Sequence, residues 1–169
     1  MNVLDKLLED HSHQRRLAGK MTAALGPPAG EVGWQDCASC DLEGFKKAHR
    51  ELKEHVLDHE RREELFLAEA ISLLENAQEL EAELAKAHES VNHLLGLMET
   101  VTALYDGVHL HSLRTVAERL KDELESHHDY EEKKLFSRLR RTLPPADLER
   151  LSRRVERARE AEKAGKSGP

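Results

Sequence analysis

The chain reads as an all-α protein, an up-down-up-down four-helix bundle with an additional C-terminal helix. Three observations predict this. Gly and Pro gather in three short stretches, residues 26–40, 105–112 and 143–145. The segments between them are rich in Leu, Ala, Glu, Lys and Arg and poor in β-branched residues and strict alternation, a composition that favours helix over strand. Each segment also carries an apolar stripe at steps of three and four residues, as a helix does when it buries one face. Four long amphipathic helices joined by mostly short connections pack most economically as a bundle of alternating direction.

Helices are expected near residues 2–25, 42–76, 80–104, 112–142 and 146–162. The first stripe runs Leu4, Leu8, His11, Ala18, Met21, Leu25, and the second Phe45, Leu52, Val56, His59, Glu63, Phe66, Ala70. The third is Leu84, His88, Val91, Leu95, Met98, and the fourth Leu113, Val116, Leu120, Leu124, His127, Glu131, Leu135. The second and third helices are divided near residues 77–80, where NAQELEAE holds no Gly or Pro to fix the break. A fifth stripe, Leu148, Leu151, Val155, Ala158, is expected to cover one side or end of the bundle. Residues 1–142 would then form the bundle, 143–162 an accessory helix and 163–169 a disordered tail.

Charge and composition narrow the function. With 26 Lys and Arg against 33 Asp and Glu the net charge is −7, which argues against a nucleic-acid partner. No apolar run is long enough to span a membrane, and the acidic, His-containing N-terminus lacks the pattern of an export signal, so a cytoplasmic location is expected. Cys37 and Cys40 have CxxC spacing but sit in a loop without a second pair. They are either two reduced cysteines or a redox or regulatory element.

Eleven histidines are many for 169 residues, and their placement carries the argument. His11, His59, Glu63, His88, His127 and Glu131 interrupt the apolar stripes at core-facing positions. A buried carboxylate without a partner costs several kcal/mol, so six such groups together need a collective partner. A divalent or trivalent metal is one, because it turns imidazole nitrogens and carboxylate oxygens into bonds. His59 and Glu63 are four residues apart, as are His127 and Glu131, which puts each pair about 40° apart on one helix face.

The chain also repeats itself. Leu52, Lys53, Glu64 and Leu67 align with Leu120, Lys121, Glu132 and Leu135, while His11, Leu17, Gly19 and Met21 align with His88, Leu94, Gly96 and Met98. Each half thus supplies His and then His-x-x-x-Glu, and a pseudo-twofold bundle would bring the two triads together at mid-height. That arrangement suits two metals, with two histidines each and the two glutamates placed to bridge. His55, one turn before His59, is either a contributor to the site or a partly exposed residue near Glu63. His13, His49, His109, His111 and His128 lie off the stripes and are expected to face solvent, and Tyr130 to point about 100° away from Glu131.

The segments DHSHQRRL, HERREELF, AHESVNHLLGLM and HHDYEEKKLF resemble the four helices of the hemerythrin-like, or HHE cation-binding, family, over residues 1 to 142. The resemblance implies a non-haem di-iron site with an oxo or hydroxo bridge. One iron would take His11 and His59, the other His88 and His127, and Glu63 and Glu131 would bridge them. Glu60 is similar to an extra carboxylate of some iron-sensing members. Oxygen-carrying hemerythrins have two histidines four apart on the third helix; here position 92 is Asn, and His93 lies five residues from His88. The expected site therefore has more open positions, which weighs against reversible oxygen storage. The function expected is to bind, sense or react with a small oxidant, O2, H2O2 or NO, with peroxide dismutation as the enzymatic form. The alternatives are an iron-binding or sensing module without turnover, a mononuclear zinc protein and a purely structural helical protein.

Overall fold

The computed structural model describes residues 2–26, 40–104 and 110–166, and all regular structure among them is helical. Helix α1 (Val3–Ala24) opens on a capping box: the Asp5 amide donates to Asn2 and the Asn2 amide to Asp5, each at 3.1 Å. Gly26, with φ 72°, closes it in the left-handed region. Helix α2 (Leu42–Ala70) is capped by Asp41, whose Oδ1 accepts from the Gly44 amide at 2.8 Å. The Asp41 amide donates to the Ala24 carbonyl at 2.8 Å, which holds the end of α1 beside the start of α2.

A 3₁₀ turn (Ile71–Leu73) ends α2, and Asn76 at φ 61° starts α3 (Ala77–Ala103). The break expected near 77–80 thus falls a few residues earlier. The breaker is an Asn, a residue that tolerates the left-handed conformation better than other non-glycines. Helix α4 (Leu110–Tyr130) runs through a wide π-turn (Glu131–Phe136) into α5 (Ser137–Thr142) without leaving helical backbone. Pro144 then forces Leu143 into extended geometry. Pro145 occupies the first position of α6 (Pro145–Lys166), where its missing N–H costs nothing. Helix α6 passes the expected end at residue 162, because EAEKA is made of good helix formers; the rest of the expected tail, residues 167–169, lies outside the described residues.

Among the described residues, the buried apolar side chains form two separate cores. One joins Val3, Leu4 and Leu7 of α1, Phe66, Leu67 and Ala70 of α2, Leu84 of α3, Leu135, Phe136 and Leu139 of the α4–α5 rod, and Leu148, Leu151 and Val155 of α6. The other joins Leu17, Met21, Phe45, Leu52, Val56, Val91, Leu95, Met98, Leu113, Leu120 and Leu124. Each core therefore draws on opposite ends of successive helices, which alternate in direction. The residues between the two cores are His11 on α1, His59 and Glu63 on α2, His88 on α3, and His127 and Glu131 on the rod. The polar groups make one layer across the molecule, sealed by hydrocarbon above and below. No helix among the described residues is long and apolar enough to cross a membrane.

Candidate metal centre

The layer contains two groups of side chains that could hold a metal ion. Glu63, His88, His127 and Glu131 make one, and His11, His59 and Glu131 the other; within each, the donor atoms all lie within 4.8 Å of one another. Glu131 belongs to both, with its two oxygens divided between them. Its Oε2 lies 2.9 Å from His11 Nε2 and 4.0 Å from His59 Nε2, while Oε1 lies 2.8 Å from His127 Nε2 and 4.0 Å from His88 Nε2. Glu63 Oε2 accepts from His88 Nε2 at 3.1 Å and lies 3.9 Å from His59 Nε2. His11 Nε2 and His59 Nε2 are 3.3 Å apart.

These spacings fit a shared ligand better than they fit hydrogen bonds. Among the described residues, His127 Nε2, both Glu131 oxygens and Glu63 Oε1 make no well-directed hydrogen bond, although His127 Nε2 and the Glu131 oxygens stand 2.8–2.9 Å from their neighbours. Donors bound at about 2.1 Å would stand about 3.0 Å apart at right angles and about 4.2 Å apart when opposite. The separations within the groups, 2.8–3.3 Å and 4.0 Å, fall into those two classes. Imidazole and carboxylate are also a chemically suitable donor set for a transition metal.

Electrostatics shows how the layer holds itself together without one. Burial, then repulsion from Glu131, pushes the Glu63 carboxyl up. Burial likewise raises Glu131 to about 7, against the pull of His59 and His88. Burial drives His11 down, helped by His128 and His59, and takes His127 down to about 4 against the pull of Glu63. For His88, burial is outweighed by the Glu63 carboxylate, with Glu60 and Glu131 adding, and the ring is raised to about 9. Ligation requires these carboxylates ionised and these rings neutral, so any proton that the layer holds must leave as a metal binds.

The shifts have a sign that can be tested. His88 is raised above its ordinary value, so its contribution is complete below about pH 6.5 and lost as pH rises through about 9. At about 1.4 kcal/mol per unit this is about 3 kcal/mol. Thermal melts of chelator-treated protein should fall steadily across that window, and His88→Gln should flatten the slope; an unchanged slope in the variant would contradict the assignment.

Carboxylates behind two of the rings fix their tautomers. His11 Nδ1 donates to Glu132 Oε1 at 2.8 Å, and Arg15 Nη1 donates to the same oxygen at 2.8 Å. His59 Nδ1 faces Asp10 Oδ2 at 3.4 Å, and Asp10 is paired with Arg62. Each ring is left with its Nε2 lone pair turned into the layer, the usual arrangement behind metal-bound imidazoles. Glu132 follows Glu131 in the π-turn, and Ser137 Oγ donates to its carbonyl at 2.9 Å. Wide turns of this kind recur at functional positions. Its repeat mate, Glu64, is exposed and paired with Arg61, so the internal symmetry ends here.

The six stripe residues thus come together. The two outlying candidates do not join them. Glu60 is buried, but its Oε2 accepts from Asn92 Nδ2 at 2.8 Å, and it belongs to neither group. His55 is half-buried against His13, with ring centroids 4.3 Å apart. Two expectations of solvent exposure are corrected. His128 is fully buried, because α1 packs over it: its ring stacks on His11 at 4.1 Å and its Nε2 donates to Gln14 Oε1 at 2.8 Å. His49 is buried too, stacked on Phe45 one turn earlier. His13 is half-buried, whereas His93 and His111 are exposed; Cys37, Tyr105 and His109 lie outside the described residues, and Cys40 is half-buried beside the second core.

Asp10, Gln14, His128 and Glu132 are the members that the stripes miss. Asp10, His128 and Glu132 stand directly beside one of the six stripe residues in sequence, and the doublets DH, HH and EE were the available signal. Comparison with protein-family models, curated proteins and solved structures returned no match for this chain.

Proposed function

We propose that this is a cytoplasmic, hemerythrin-like protein whose helices α1–α4 form an up-down-up-down bundle around two non-haem iron ions, and that it binds, senses or reacts with a small oxidant, O2, H2O2 or NO. Peroxide dismutation is its enzymatic form. The observation that carries the reading is the division of the Glu131 oxygens between two donor groups, since a carboxylate shared in this way serves two cations better than one. Iron held by imidazole and carboxylate with positions left open supplies one-electron chemistry toward such molecules. The chain's own part is to position and to exclude. Glu132 and Asp10 hold the His11 and His59 rings in register, and the two cores shield the layer above and below.

Elemental analysis of protein purified without added metal tests this, together with its visible spectrum before and after peroxide. About two irons per chain, with a peroxide-induced absorption change and oxygen release, is the expected result. One zinc per chain and no colour would overturn it.

One observation favours sensing without turnover as a second reading. A run of ion pairs leads outward from His59 through Asp10, Arg62 and Asp58 to Arg159 on α6. Metal occupancy at His59 would thereby bear on how firmly α6 is seated. Iron bound at two per chain with no oxygen release, and hydrogen exchange in α6 slowed by iron, would support this version.

A further inference from the structure

The layer is unevenly shielded. His11 and His59 are almost wholly buried, and behind them stand the Arg15–Glu132 and Arg62–Asp10 pairs. Helix α6 packs against α1 and α2 outside them. On the other side the cover is thin. The His88 side chain is 15% exposed, more than any other of the six. A cavity of about 270 Å³ opens between α3 and the rod, with His127 in its lining. That ring is nine-tenths buried, and neither of its nitrogens has a hydrogen-bond partner. Around the cavity stand Glu83 and Ala87 of α3, Glu123 and Tyr130 of α4, and Lys134 of the π-turn. The Tyr130 hydroxyl is within reach of Glu83, and the Lys134 ammonium lies 5.2 Å from the Tyr130 ring centroid. The mouth thus carries two carboxylates against one ammonium.

We propose that this cleft is the port through which a divalent cation reaches the His/Glu layer, with Glu83 and Glu123 as capture carboxylates and His127 as the first ligand met. The inference rests on reading the layer as a metal centre. A cleft with an excess of one sign of charge between low-dielectric walls concentrates the opposite ion and speeds its arrival. The excess of negative charge favours a cation, and it gives neutral O2, H2O2 or NO no such advantage. Beyond the mouth, His127 Nε2 lies 2.8 Å from Glu131 Oε1 and the other Glu131 oxygen faces His11 and His59, so these are the residues that would hold the ion next. Both donor groups would then fill from one side.

The test is the rate of loading, read with cobalt(II) added to the chelator-stripped full chain and followed by its visible absorption. The double variant Glu83→Gln, Glu123→Gln should load about threefold to tenfold more slowly at low salt, reach the wild-type stoichiometry, and lose its deficit at about 1 M salt. Ala87→Phe should slow both loading and removal by EDTA. The control pair Glu51→Gln, Glu149→Gln removes two exposed acids on α2 and α6, helices that do not line the cleft, and should load normally. Wild-type rates in the double variant at low salt, or equal slowing in the control pair, would overturn the port. A wild-type chain that takes up no cobalt would instead overturn the metal centre itself.

Discussion

Replacing Glu131 by Gln will remove metal from both donor groups and, at the same time, make the metal-free protein more stable. The two effects share one cause. Glu131 is fully buried and raised to about 7, so above neutral pH the folded protein carries an ionised carboxylate that the unfolded chain would hold at little cost. Measured against its ordinary value the penalty is about 3 kcal/mol at alkaline pH, and an amide of the same shape does not incur it. The amide is also a poor metal ligand, and here it would fail on two sides at once, because Oε1 and Oε2 face different groups. Metal titration should show at least about a hundredfold loss of affinity, beyond the loss usual for an outer-shell partner. Thermal melts of chelator-treated protein at about pH 8 should rise by several degrees. His11→Asn gives the contrast, losing the His11/His59 group while Glu63, His88, His127 and Glu131 still bind. If Glu131→Gln kept its metal, or if its metal-free form melted below wild type, Glu131 would be a structural hydrogen-bond hub and the centre would be wrongly assigned.

How far the layer can be read from sequence depends on the width of the buried face. Residues four apart share a face whatever the packing, so His59 with Glu63 and His127 with Glu131 were legible as pairs. Their convergence with His11 and His88 was legible because the halves repeat. A stripe drawn one residue wide, however, assigns each neighbour to solvent, and that fails where two helices pack closely. His128 is turned about 100° from His127, yet α1 covers it with His11 and Gln14. Asp10 and Glu132 occupy the flanks of the same contact, partly shielded and partly wet, where a carboxylate can back a ring and still meet an arginine. The π-turn was not legible, since EEKKLF differs little from any other helical hexamer. The α2–α3 break was legible in kind but misplaced, because a single Asn marks it more faintly than Gly or Pro. The role of α6 was the least visible: its stripe shows that it packs, but the partners are set by Val3, Leu4 and Phe66, far away in sequence.

Ending the chain after Leu143, which deletes α6, will leave a protein that depends on metal to stay folded. Leu148, Leu151 and Val155 are buried in the same core as Val3, Leu7 and Phe66, and burial of each contributes about 1.5–3 kcal/mol. Ser152 Oγ accepts from the Val3 amide at 2.8 Å, and Lys6 and Asp58 lose their partners Glu156 and Arg159. The loss approaches the whole stability of an ordinary domain, about 5–15 kcal/mol. Metal-free, the truncated chain should show weak, non-cooperative melting by circular dichroism. Ligand binding restores stability by mass action, about 4 kcal/mol at a thousandfold excess over Kd, and the layer relieves its buried acids besides. Iron or cobalt should therefore return a cooperative transition to the truncated protein. The point variant Leu151→Asn, which keeps the ion pairs and removes one anchor, should fall between the two. A truncated, metal-free chain that melts like the full-length protein would show that α6 rests on the other helices without supporting them. A truncated chain that metal cannot restore would mean that the donor groups depend on α6 for their geometry, as the ion pairs from Arg159 through Arg62 to Asp10 and His59 would then require.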